Sequence, residues 1–152
     1  MTAPDQRYDG LFKVYAEWDQ TEAGEWVMRK TMSLDWMLLK AQAKAESGLR
    51  PRAVSPAGAM GLFQFMPATW EEWNRRKYPK VELDIYNPEH STFLAAAYME
   101  HLLGRYAGNM RKALAAYNFG MGNVDKAIAL RGDAWETGLP AETAGYLVKV
   151  LG

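Results

Sequence analysis

The chain of 152 residues contains no cysteine. That absence excludes a disulfide framework, a thiolate metal site and a cysteine nucleophile. Histidine is nearly as scarce: the two present, His90 and His101, cannot build a three-histidine zinc centre. Neither sign of charge dominates, with 18 Lys and Arg against 18 Asp and Glu. A dedicated duplex-DNA binder carries a clear positive excess, so nucleic acid is not an expected partner. Long apolar runs are missing too. The longest, Phe93 to Met99, is far short of the roughly 20 residues a membrane-spanning helix needs. The opening MTAPDQRYDG lacks the basic and then apolar segments of a secretory leader.

What is present is the make-up of a folded domain. Hydrophobic residues are 49% and charged residues 24% of the chain, close to the globular average, and the length suits about one domain. With neither metal nor organic cofactor expected, any chemistry falls to carboxylates, hydroxyls, amides and aromatic rings.

The apolar pattern is helical almost throughout. Leu11, Val14, Tyr15 and Trp18 recur on one helix face, with Asp9 as a candidate cap. Residues 20–32 read as a connector or short hairpin. Ser33 is placed to cap a helix over 34–47 that Gly48 ends. Residues 49–61 are loop, and Pro67 suits the first position of a helix reaching Lys77. Asn87-Pro88-Glu89 opens a long helix to about Tyr106. Asn109 caps the next, up to Asn118, and Asn123 a short one through Leu130. A last helix starts near Ala141. The expected organisation is an N-terminal helix and connector over 1–33, packed on a core domain over 34–152.

Three places carry candidate chemistry. Glu46 lies in the last turn of its helix, near the negative end of the macrodipole, which disfavours the ionised carboxylate. A carboxyl kept protonated near neutral pH can serve as a general acid at a glycosidic bond; a solvated surface glutamate is the bland alternative. Residues 55–67 place Gly58 and Gly61 beside Phe63, Gln64, Phe65 and Met66. An amide between aromatic rings suits a sugar, although a buried turn capped by the glutamine would read the same. Tyr117 and Asn118 stand at a helix end before Gly120 and Gly122, either as ligand-facing groups or as packing and a cap. The aromatic pair Trp70 and Trp73 is read as core or cleft wall. The cations Arg75, Arg76, Lys77 and Lys80 are read chiefly as a solvated face, with attraction of anionic peptide stems as the sharper alternative.

In order along the chain stand Glu46-Ser47, Gly61-Leu62-Phe63-Gln64, Ala116-Tyr117-Asn118-Phe119-Gly120 and Glu142-Thr143-Ala144-Gly145-Tyr146. This succession resembles the catalytic domain of soluble lytic transglycosylases, within the lysozyme-like superfamily and related to goose-type lysozymes, over about Leu34 to Gly152. Phe63 stands where the family usually has methionine. The resemblance implies a mainly α, multi-helix lysozyme-like domain with a substrate cleft and little or no β-sheet. It implies cleavage of the β-1,4 bond between N-acetylmuramic acid and N-acetylglucosamine in peptidoglycan, leaving a 1,6-anhydro end. Glu46 matches the single catalytic acid/base, and Ser55, Phe63, Gln64, Phe65, Met66, Tyr117, Asn118, Glu142 and Tyr146 match substrate-binding or supporting positions. Glu142 is equally a favourable first-turn acid, and Tyr146 a core residue.

A two-carboxylate glycosidase needs a partner acid at a set separation, and no motif supplies an obvious one, which suits one acid acting twice. The rivals are a lysozyme-type hydrolase of the same bond, a chitin-cleaving enzyme, an inactive glycan-binding module and a structural component of a phage particle. Peptidoglycan strands are the expected partner and a monomer the expected state. Action at the bacterial wall without a leader suggests a phage or prophage origin, or a domain cut from an exported protein.

Overall fold

The computed structural model describes residues 5–30 and 34–152. They form two compact units, one of residues 5–30 with 34–97 and one of residues 98–152. The described residues hold seven α-helices and one two-stranded sheet, so the expected mainly α class is met. Ser33, expected as a cap, lies outside the described residues.

In the first unit, α1 spans Asp9–Glu17 and leads into an antiparallel hairpin, β1 (Trp18–Gln20) and β2 (Trp26–Met28), with Asp19 opposite Val27. Asp9 is not the cap of α1: Tyr8 takes that position without a side-chain bond, and Asp9 pairs with Lys40 at 2.8 Å. α2 covers Trp36–Ser47, capped by Asp35, whose carboxylate accepts from the Met37 N–H at 2.9 Å. The helix starts here because a carboxylate at this position satisfies an N–H that the helix itself cannot. Gly48 ends it in the left-handed conformation. α1 packs on α2, and the N-terminal elements thereby share a unit with residues 34–97. Phe12 and Phe63, both without accessible surface, meet edge to face at 6.0 Å inside it.

α3 runs Pro67–Lys77 from the expected proline. Trp70 and Trp73 are both core residues. The basic cluster is largely neutralised: Arg75 lies 3.7 Å from Glu71, Arg76 3.3 Å from Glu72, and Lys77 2.5 Å from Asp19 on β1. α4 (Pro88–Arg105) opens with the Asn87 side-chain Oδ1 accepting from the Glu89 and His90 N–H groups.

In the second unit, Asn109 caps α5 (Met110–Phe119) by accepting from the Lys112 N–H at 3.0 Å. α6 (Met121–Arg131) begins three residues earlier than the sequence suggests, with Gly120 in the cap position. Asn123 is therefore inside α6, and its amide donates back to the Phe119 carbonyl at 2.8 Å, closing the end of α5. A 3-10 turn over Gly132–Gly138 follows, packing on α6. α7 (Ala141–Leu151) packs on α5.

Candidate catalytic site

In the first unit the candidate acid Glu46 occupies the next-to-last position of α2 and is half-buried. Two left-handed residues, Gly48 at φ 64° and Leu49 at φ 64°, turn the chain away immediately after it. The residue therefore sits in the last turn of the helix, at the negative end of its dipole.

Ser47 anchors that helix end. Its Oγ lies 2.8 Å from the Leu62 carbonyl and 3.1 Å from that of Ala43, and it accepts from the Arg50 N–H at 3.1 Å. The hydroxyl has one proton to give, and the shorter contact is the tertiary one. The first motif is thus tied directly to the backbone of the second. Ser47 is only 2% exposed, so removing its hydroxyl leaves buried backbone groups unsatisfied.

The second motif is a tight turn that requires its glycine. Gly61 has φ 84°, and a Cβ there would sit 2.3 Å from the Ile85 carbonyl oxygen. Its N–H donates to the Ala53 carbonyl at 2.8 Å. Gln64 has φ 53°, unusual outside glycine. Its amide spends both hydrogens on backbone, donating to the Ala53 carbonyl at 3.1 Å and to that of Gly61 at 3.0 Å. The expected sugar-reading amide is thus a staple of the 53–64 loop, with only its oxygen left for a ligand.

Ser55 closes the preceding turn. Its Oγ accepts from the Ala59 N–H at 3.0 Å, which leaves its own proton to give. Met66 is 46% exposed at the entry to α3. The aromatic expectations need correction. Phe63 is 0% and Phe65 3% exposed, Phe63 against Phe12 and Phe65 edge to face with Trp70 at 5.2 Å. Rings without accessible faces hold the turn from beneath and offer a sugar no platform.

The second unit holds the remaining positions. Tyr117 is half-buried on α5, its ring 5.4 Å from that of Tyr98. Asn118, next along the helix, accepts a 2.8 Å hydrogen bond at Oδ1 from the Thr143 hydroxyl on α7. Thr143 is 2% exposed. Glu142 is exposed in the first turn of α7, where a carboxylate favours the helix N-terminus. Tyr146 is 5% exposed and belongs to the core, the second of its two expected roles. Ser47 and Thr143 stand inside motifs, but their residue types alone assign them no task. Their hydroxyls are the groups that hold Glu46 and Asn118 in place, and the signal was their position beside a candidate residue.

A groove of about 450 Å³ lies against α3, lined by Trp70, Asn74, Arg75, Tyr78 and Glu82 among others. No motif residue lines it. The Asn74 amide is committed to the carbonyls of Tyr78 and Val81. No group of His, Asp and Glu among the described residues is arranged to hold a metal ion. No helix among them is long and apolar enough to cross a membrane.

Residues 27–137 match the Transglycosylase SLT domain. A putative soluble lytic murein transglycosylase of Haemophilus influenzae is 34% identical over 73% of this chain and 20% of its own length. The 70 kDa soluble lytic transglycosylase SLT70 of Escherichia coli superposes with a TM-score of 0.76 at 27% identity, over 97% of this chain and 23% of that one. An inactive glutamate-to-glutamine mutant of the lytic transglycosylase Slt of Pseudomonas aeruginosa gives a TM-score of 0.67 at 32% identity, over 78% of this chain and 20% of that one. The chain spans about a fifth of the length of these relatives. On this match the chain belongs to the SLT transglycosylase domain family.

Proposed function

We propose that this chain is a peptidoglycan lytic transglycosylase, cleaving the β-1,4 bond between N-acetylmuramic acid and N-acetylglucosamine without water. Glu46 is the single acid/base. Its carboxyl protonates the glycosidic oxygen as the bond to the muramic C1 breaks. The carboxylate then takes the proton from the C6 hydroxyl of the same sugar as that oxygen closes on C1. The products are a free 4-hydroxyl and a 1,6-anhydro ring, and the acid is restored. One carboxyl used in both directions requires no second one at a fixed separation.

The observation that carries this reading is the anchored helix end. Glu46 follows the family motif, and Ser47 ties its helix to the Gly61–Gln64 turn through the Leu62 carbonyl. A catalytic acid needs its position fixed before substrate arrives. The inactive glutamine mutant of the Pseudomonas relative fits a reaction that depends on a glutamate. Glycan strands of the bacterial wall are the partner, and one copy of the chain carries the acid and the motifs. The test is mass spectrometry of muropeptides released from purified peptidoglycan. Products one water lighter than the hydrolysis products are expected; reducing-end products would make this chain a lysozyme-type hydrolase.

A further inference from the structure

We infer that Thr143 is a positioning residue that holds the Asn118 amide with its hydrogens turned to the ligand, so that this position recognises an acetamido carbonyl. The inference rests on the glycan substrate proposed above and adds a specificity element to it.

Thr143 is 2% exposed, and among the described residues its hydroxyl bonds to Asn118 Oδ1, at 2.8 Å. A buried hydroxyl needs an acceptor. If the amide were turned over, its nitrogen would meet the hydroxyl as a donor, and the Thr143 proton would have no acceptor. The threonine therefore selects one of the two amide orientations. In that orientation Oδ1 is occupied and Nδ2 has no partner among the described residues. Asn118 itself is half-buried, so its two amide hydrogens remain available to a ligand.

A position that offers only donors discriminates by chemistry. It pairs with a carbonyl oxygen and cannot pair with an ammonium group. The wall glycan carries a carbonyl oxygen on each N-acetyl group, and deacetylation replaces it with an ammonium. Asn118 held in this way favours the acetylated sugar over the deacetylated one.

The residue pair also gives the threonine of the fourth motif a task. Thr143 lies in the first turn of α7, which packs on α5. A hydroxyl there reaches Asn118 across 25 residues of sequence. Serine can make the same bond, whereas valine keeps the shape and loses it.

The experiment is an NMR titration of the wild-type chain with tri-N-acetylchitotriose and with its fully deacetylated trimer, following the Asn118 side-chain amide pair. The acetylated trimer is expected to shift that pair and the deacetylated one to leave it. Thr143→Val should weaken acetylated binding about tenfold, the loss of one oriented hydrogen bond. Thr143→Ser should stay within about twofold of wild type. Asn118→Asp keeps an oxygen for Thr143 but removes the donors, and should lose the preference for the acetylated trimer while remaining folded. Thr143→Val binding like wild type, Thr143→Ser failing like Thr143→Val, or no response of the Asn118 amide to the acetylated trimer would each overturn the inference. Failure of the wild type to release anhydro products would sink the lyase reading alone, since the titration does not depend on turnover.

Discussion

The two halves of the family pattern are held by different kinds of bond. In the first unit the motif side chains are bound to backbone: Ser47 to the Leu62 carbonyl, and Gln64 to the carbonyls of Ala53 and Gly61. In the second unit one motif side chain binds another, Thr143 to Asn118. The first arrangement fixes the course of a loop whose left-handed residues, Leu49, Gly61 and Gln64, would not hold it unaided. The second leaves the backbone to the helices and orients a single amide. Changes in the first unit should therefore appear as lost stability, and changes at Asn118 and Thr143 as altered recognition.

Glu46 is the exception that sharpens this contrast, because it sits among stabilising residues yet should act on rate. Glu46→Gln is expected to fold with an unchanged melting temperature and to lose turnover by about a hundredfold to ten-thousandfold, the usual worth of a general acid/base. Product release from peptidoglycan and thermal melting, measured together, decide it. Substantial residual turnover would remove Glu46 from its role.

Gly61→Ala should produce the largest loss of stability. The methyl group would lie 2.3 Å from the Ile85 carbonyl oxygen in a left-handed conformation, which together should destabilise the fold by about 3 kcal/mol. Chemical denaturation measures it. A variant as stable as wild type would show that the 53–64 loop can move away from Ile85.

Ser47→Ala comes next, at about 2 kcal/mol, because it strips a buried hydroxyl from the Leu62 carbonyl and the Arg50 N–H. It also frees the helix end that carries Glu46, so turnover measured well below the melting temperature should fall as well. Lost stability with wild-type turnover would separate the anchor from the acid.

The smallest effect belongs to the surface of the second unit. Arg111 donates two hydrogen bonds to Glu136, at 2.9 and 2.6 Å, and these hold the Glu136 carboxyl below its ordinary 4.5. A lowered folded value means that the pair stabilises above the unfolded value and ceases to do so as pH falls through the folded one. Both partners are at least 40% exposed, so the contribution after screening is about 0.5 kcal/mol. Glu136→Gln should melt slightly below wild type at pH 7, and the gap should close as the pH drops below 4.5. A gap that persists in acid would point to packing.

Helix ends were the most legible part of the sequence. Pro67, Asn87, Asn109 and Gly48 mark the boundaries that the structure shows, because each acts on backbone groups within one turn. The failures are of two kinds. Asp9 and Asn123 are competent caps, but Tyr8 and Gly120 precede their helices. In their places Asp9 pairs with Lys40 and Asn123 caps the preceding helix. For Phe63 and Phe65 the sequence left a sugar platform and a buried turn both open, because an aromatic beside a glutamine looks the same on a cleft wall and under a turn. Burial depends on what packs from elsewhere, here Phe12 and Trp70.

The sequence by itself determined the helical class, the order of the motifs and the place of Glu46, a motif carboxylate in the last turn of a helix. These follow from periodicity, capping and residue type, which are local. Only the tertiary structure decided that Ser47 anchors the acid's helix, that the Gln64 amide is committed to backbone and that Thr143 orients Asn118. Each is a hydrogen bond of 2.8 to 3.1 Å between groups 3 to 25 residues apart. A polar side chain has one task or another according to which partner the fold brings within that distance, and spacing along the chain does not specify it.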